Sequence, residues 1–445
     1  MTSAVCVQSN FKEPRAYAEN IRRTNPRPSC GILRGMKTEA LVAADDNALR
    51  RRAEETGDRL RSAVDSLLTE LGRRGLRDQR SMQGALKLSQ SAISRLVSSV
   101  RSGDSLATLS SIPGPEALRQ MVKGASQSGV DRDCIERVES AVAGLQDFLD
   151  SEIGDRTTLD AVLSDWVHES RGAFELRHKA AAFKSMSALR GVQAEMILNA
   201  GIVYPSAGNA DAHDCIGIDA LLGCKRIRPS GTLRLFGSYL APEGASFTVS
   251  SLQGAAIGSM QDMLLPEFST VPPEHIETQH HGQYLETTIR ELPLGKGADR
   301  GEDLVCAQLY RGVHRARRGA GAPSSGVGGQ AEPPSGYYVV DALLHDDVWP
   351  GVQPELRLFD TVVRGITHPD NATRLGDRLD MLESVHSLGR GPEAFRLPEF
   401  PAYPEIIRQT CAQVGWDPRR LRGFRCKVRY PIYGSQIGLA FSLPT

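Results

Sequence analysis

Gln90, Ser91, Ser94, Arg95, Ser98 and Arg101 fall in one short stretch of the chain that contains no carboxylate. An amide, short hydroxyls and guanidinium forks are the groups that hydrogen-bond to base edges and to the phosphates beside them. Arg80 and Lys87 lie just upstream, and Ser89 immediately precedes the set. The chemistry this stretch suggests is contact with nucleic acid.

The apolar residues around these side chains say how they are positioned. Met82 and Leu86 are four apart, and Ile93 and Leu96 are three apart, the spacings of one helix face. This pattern predicts two short helices, the first ending near Leu86 and the second beginning after Ser89. Leu88 plugs the corner between them, and the Ser89 hydroxyl caps the second helix by accepting from its free N–H groups.

Leu86, followed by Leu88-Ser89-Gln90-Ser91-Ala92-Ile93-Ser94-Arg95-Leu96, resembles the helix-turn-helix of bacterial transcription regulators, over about residues 82–101. The resemblance implies a second helix lying in the major groove of double-stranded DNA with its N-terminal residues on base edges. It assigns Gln90, Ser91, Ser94 and Arg95 to bases and phosphates, with Arg95 reading guanine and Gln90 adenine. Arg80, Lys87 and Arg101 would hold the backbone, and Ser89 and Ser98 complete the contact set. At two positions the chain departs from the family pattern: Gln83 stands where a small residue is usual, and Lys87 where the turn usually has Gly. Lys87 in a left-handed turn conformation would be strained.

Between Leu71 and Arg101 the basic residues are Arg73, Arg74, Arg77, Arg80, Lys87, Arg95 and Arg101, against the single acid Asp78. That local excess sits on a chain with 53 basic and 53 acidic residues, so it marks one surface. The competing reading of the stretch is a solvated basic hairpin with no nucleic-acid role.

A length of 445 residues suggests two or three domains. With 40% hydrophobic and 24% charged residues the composition is that of an ordinary globular chain, and 6% aromatics argues against stacking on single strands. No apolar run reaches membrane-spanning length, and the N-terminus lacks the apolar core of a secretion signal, so a cytoplasmic protein without membrane contact is expected. The eight cysteines are scattered without a CxxC, against a zinc ribbon or a disulfide framework.

The expected fold class is α+β: an N-terminal all-α helix-turn-helix module with long amphipathic helices, then a β-rich α+β domain. Residues 1–36, with three prolines and little periodicity, read as a poorly ordered arm, and Met36 is a candidate start of translation. Residues 37–125 read as the DNA-binding domain, with a long amphipathic helix over 45–72. Residues 126–200 read as a helical connector or dimerisation region, with helices over 131–152 and most of 157–200. From Gly201 short β-type runs alternate with Gly/Pro turns. Candidates are Thr232–Tyr239, Ser246–Leu252, Glu286–Leu292, Leu304–Leu309, Tyr337–Leu344, Glu355–Val363, Phe424–Tyr430 and Ile437–Ser442, with one helix near Tyr403–Val414. Arg315–Gly336, rich in Gly, Ser and Pro, reads as a flexible loop.

The second half offers weaker chemistry. Asp211, His213, Asp214 and Cys215, with Cys224 further on, carry metal-ligand residue types without a ligand spacing, and read as a polar loop. His275, His280 and His281 read as surface residues, and His345-Asp346-Asp347 has the same standing. GxSxG, GxxxxGK[ST] and HExxH are absent. The leading expectation is therefore a DNA-binding transcriptional regulator with no cofactor and no metal. It would act as a homodimer, with residues 201–445 sensing a small-molecule effector or joining subunits. The alternatives are a hydrolase or metal-dependent enzyme in residues 201–445 that uses the helices for targeting, and a protein-interaction or assembly factor.

Overall fold

The computed structural model describes residues 35–241, 244–282, 284–295, 301–319, 323–368 and 370–445. Of the expected N-terminal arm, all but Gly35 and Met36 lies outside the described residues. The chain is α+β, about 41% helix and 29% strand. It divides into two compact units, which among the described residues are 35–175 and 176–445.

The first unit is all helix. In α1 (Gly35–Arg73) the residues Ala53, Leu60, Val64, Leu67 and Leu71 recur on one face and are buried. After it come α2 (Gln79–Leu86), α3 (Gln90–Arg101), α4 (Ser105–Ser111), α5 (Pro115–Gln127), α6 (Arg132–Phe148) and α7 (Arg156–Trp166). Their starts are written in the sequence. Asp78, Ser89, Asp104 and Asp155 each accept from a backbone N–H three residues on, and Pro115 occupies the first position of α5.

One apolar core runs through the whole unit, joining Leu60 and Leu71 to Leu86, Ile93 and Leu96, and on to Leu118, Val138, Leu145 and Leu163. The expected division at residue 125 is thus corrected: α6 and α7 are packed into the body that carries α2 and α3. Two glycines let backbones touch within it. A Cβ on Gly124 would lie 2.7 Å from the backbone of Ala85 and Leu86, and one on Gly57 would lie 2.2 Å from the carbonyl oxygen of Ser105.

α8 (His168–Arg190) ends at Gly191, whose φ of 75° is the left-handed conformation that closes many helices. A strand follows. Residues 157–200 are mostly helical, as expected, up to Arg190; β1 (Val192–Pro205) takes their last stretch, and β2 (Ala212–Arg226) pairs with it. The second unit is built on a seven-stranded sheet with strand order β11-β12-β9-β1-β2-β7-β4. Here β4 is Thr248–Ser250, β7 Glu302–Arg315, β9 Ser335–His345, β11 His386–Arg390 and β12 Leu421–Arg429. β1 and β9 are parallel and the remaining neighbours antiparallel.

Two three-stranded sheets accompany it. One is β10 (Pro354–Phe359), β13 (Gln436–Ser442) and β8 (Ser324–Gln330); the other is β3 (Leu233–Tyr239), β6 (Tyr284–Ile289) and β5 (Ile276–His281). Their apolar faces share a core with Ile197, Val203, Cys215 and Tyr338 of the large sheet. Alternate residues of that sheet, such as Leu198, Ile202 and Leu343, pack with Tyr403, Ile406 and Ile407 of α9 (Tyr403–Gln413). Both faces of the large sheet are therefore covered.

The expected flexible loop at 315–336 is also corrected. Within it β8 is buried at every position. Its glycines are demanded by close pairing with β13: a Cβ on Gly328 would lie 2.3 Å from the Ile437 carbonyl oxygen. Among the described residues no helix is long and apolar enough to cross a membrane.

Gly124→Ala tests the α5–α2 contact. Overpacking of this kind costs about 1–3 kcal/mol. Gly144→Ala, on α6 with open space at its Cβ, should instead gain up to about 1 kcal/mol from helix propensity. Urea unfolding of the two variants checks the contrast; equal stabilities would refute the packing argument.

Candidate nucleic-acid interface

The two predicted helices meet as the residue pattern requires. Lys87 has φ 54° and ψ 36°, a left-handed conformation that costs a side-chain-bearing residue roughly 1–2 kcal/mol. It turns the chain sharply enough to put Leu88 into the corner, where it is buried. Ser89 Oγ then accepts from Ala92 N at 3.2 Å and opens α3. Met82, Leu86, Ile93 and Leu96 are all buried.

What remains outward is the predicted set. Arg80, Lys87, Ser89, Gln90, Ser91, Ser94, Arg95, Ser98 and Arg101 are all exposed. On α3 the six from Gln90 to Arg101 occupy one arc of about 140°, from the helical repeat. Ala92, Ile93, Leu96 and Ser99 fill the opposite side. The ridge carries no carboxylate, and Arg80, Arg95 and Arg101 have no ion-pair partner among the described residues. A guanidinium held out into water without a partner is available for a fork contact to phosphate or guanine.

Other parts of the basic segment are committed elsewhere. Arg73 and Arg74 both reach Glu70, at 3.4 and 3.0 Å, and Arg77 donates to the Gly72 carbonyl. The positive field thus concentrates on α2 and α3 rather than spreading over the flank. Asp78, the lone acid of the segment, is the N-cap of α2, and the Ser81 N–H it accepts holds its carboxyl below the usual range. Lys87 Nζ donates to Gln127 Oε1 of α5 at 2.6 Å. Gln127 is the residue that sequence spacing did not reveal, because the contact spans forty positions.

Among the described residues of the second unit, the candidate metal-ligand types are engaged separately. Asp214 is buried and bound to Arg311 at 2.6 Å and to the Gly312 N–H. His275 pairs with Glu291, His281 with Glu286, and His280 with the Gly258 carbonyl, so the three imidazoles have separate partners. His345 packs on Tyr204 and lies 3.6 Å from Asp347. Among the described residues no group of three or more His, Cys, Asp or Glu could hold a metal ion. Six cysteines are described and all are buried; burial pushes the Cys411 and Cys426 thiols up to about 12, far from an activated thiolate.

One Ser–His pair does form. His314 Nδ1 lies 2.8 Å from Ser325 Oγ, and His314 faces His213 across the β2–β7 pairing. Both imidazoles meet the Trp349 ring edge-on, at 5.7 and 5.6 Å between centroids. Ser325 is 1% exposed and His314 fully buried. The pair is enclosed in the core rather than open to solvent.

No family model matches the chain, and no curated protein matches it. A crystal structure of a "putative protease" from Parabacteroides distasonis aligns at 9% identity with a TM-score of 0.25, covering 57% of this chain. The match spans 41% of that protein's length, and at this TM-score the likeness carries no argument.

Burial holds His213 down at about 4 and His314 at about 3, so both are neutral in the folded protein. The unfolded chain takes up those protons near pH 6.5 and the folded chain does not. Their contribution to stability is complete above that pH and is lost as the pH falls from 6.5 toward 4. Urea unfolding should show about 1–3 kcal/mol less stability near pH 5.5 than near pH 7.5, and His314→Gln should flatten that difference. Identical pH dependence in the variant would contradict the assignment.

Proposed function

We propose that this chain is a DNA-binding transcriptional regulator whose α3 enters the major groove of a duplex. The observation that carries the reading is the joint exposure of nine polar and basic side chains on a hairpin whose Met82, Leu86, Leu88, Ile93 and Leu96 are all buried. An exposed face with hydroxyls, an amide and unpaired guanidiniums, and no carboxylate, suits a phosphate-lined groove. Arg95 reads guanine and Gln90 reads adenine through bidentate geometry, while Ser91 and Ser94 pack close to bases or phosphates. Arg80, Lys87 and Arg101 hold the backbone, and Ser89 and Ser98 flank the contact. In this reading the protein acts in the cytoplasm as a homodimer, because two half-sites multiply a modest single-site affinity. The sheet-rich unit would then serve for effector sensing or oligomerisation.

Equilibrium binding of the full chain to duplex DNA across a salt series tests this. Arg95→Ala should cost about 1–3 kcal/mol of discrimination between cognate and scrambled duplexes. Lys87→Gly suits the left-handed turn, so it should leave the fold intact and reduce the salt slope by up to about one phosphate contact, less where Gln127 holds the ammonium. Equal loss on all sequences would make Arg95 a phosphate contact; no binding at low salt would overturn the reading.

A further inference from the structure

α5 and α6 are joined by a short turn through Gly129 and run antiparallel. Arg119 Nη2 donates to Gln146 Oε1 at 2.8 Å and fixes their register. Along the outside of this pair lies a groove of about 590 Å³, within the range of small-molecule sites. Its floor is apolar: Val122 and Val142 are buried beneath it.

Its walls carry both signs of charge. Lys123 stands on α5, and Glu139 and Asp147 stand on α6. None of the three has an ion-pair partner among the described residues, whereas Arg119 is held by Glu116 and Gln146. A ligand of one charge sign would meet like charge at one wall. An apolar body bearing both an ammonium and a carboxylate satisfies both walls and the floor together. The volume exceeds a single amino acid, which favours two or three residues.

Gln127 lines the same groove, and its side-chain oxygen is the acceptor for Lys87 of the turn. We propose that this groove binds a short apolar peptide with free termini, and that the bound ammonium, competing for Gln127, releases Lys87 toward DNA. The first half stands alone; the second rests on the DNA-binding reading.

Calorimetric titration of the full chain with leucyl-leucine tests the site, with the doubly capped N-acetyl-leucyl-leucine amide as the control. The free dipeptide should bind at least about tenfold more tightly than the capped one. Ala143→Trp, at an exposed position on the groove, should abolish binding with an unchanged helical circular dichroism signal. Lys123→Glu should weaken it without lowering the melting temperature. Equal binding of free and capped peptide, no binding at about 1 mM, or full binding by Ala143→Trp would overturn the site. Saturating dipeptide should also steepen the salt dependence of DNA binding, and Gln127→Ala should remove that effect. Dipeptide binding with an unmoved salt slope overturns the coupling alone. Dipeptide binding by a chain that binds no DNA sustains the site and overturns the DNA reading instead.

Discussion

The burial of Leu88 in the corner between α2 and α3 is the constraint on which the exposed ridge depends. The chain turns into that corner at Lys87 through a left-handed conformation. The strain there is offset by apolar burial and by the Ser89 cap, each of order 1 kcal/mol or more. Once Leu88 is seated, the orientation of α3 is fixed. Ile93 and Leu96 must then point inward, which leaves Gln90, Ser94 and Arg95 facing outward. The polar surface is a consequence of apolar packing more than of contacts among the polar residues, such as that between the Ser89 and Ser91 hydroxyls at 3.0 Å.

That packing is in turn held from behind. α5 meets the end of α2 backbone to backbone at Gly124, and α4 meets α1 in the same way at Gly57. Contacts of this kind leave little room for adjustment, so α2 and α3 sit on a rigid scaffold of five further helices. A ridge that must match the fixed geometry of a duplex benefits from such support.

How much of this could be read from the sequence depended on whether an element faces water. The helices around residues 79–101 have one wet face, and the spacing of Met82, Leu86, Ile93 and Leu96 declared them, together with the cap at Ser89. Each of the eight proposed strand segments overlaps a strand, although Ser246–Leu252 holds only the three residues of β4 and Glu286–Leu292 starts inside β6. β1 was concealed because both its faces are buried: MILNAGIVYP has no alternation, and such a run reads equally as helix. Gly191, in a left-handed conformation after Arg190, was the available signal that the helix stops there. β8 was concealed for the opposite reason: its residues are so small that composition suggested a loop, whereas they are small because a neighbouring strand lies against them. The Lys87–Gln127 contact could not be seen at all, since it depends on where α5 packs.

The most direct test is selection from a random duplex library by the full-length protein at low salt, followed by sequencing of what is retained. The account predicts one enriched short sequence, with a guanine position that loses its preference when Arg95→Ala is used for the selection. Retained duplexes indistinguishable from the starting library would contradict it.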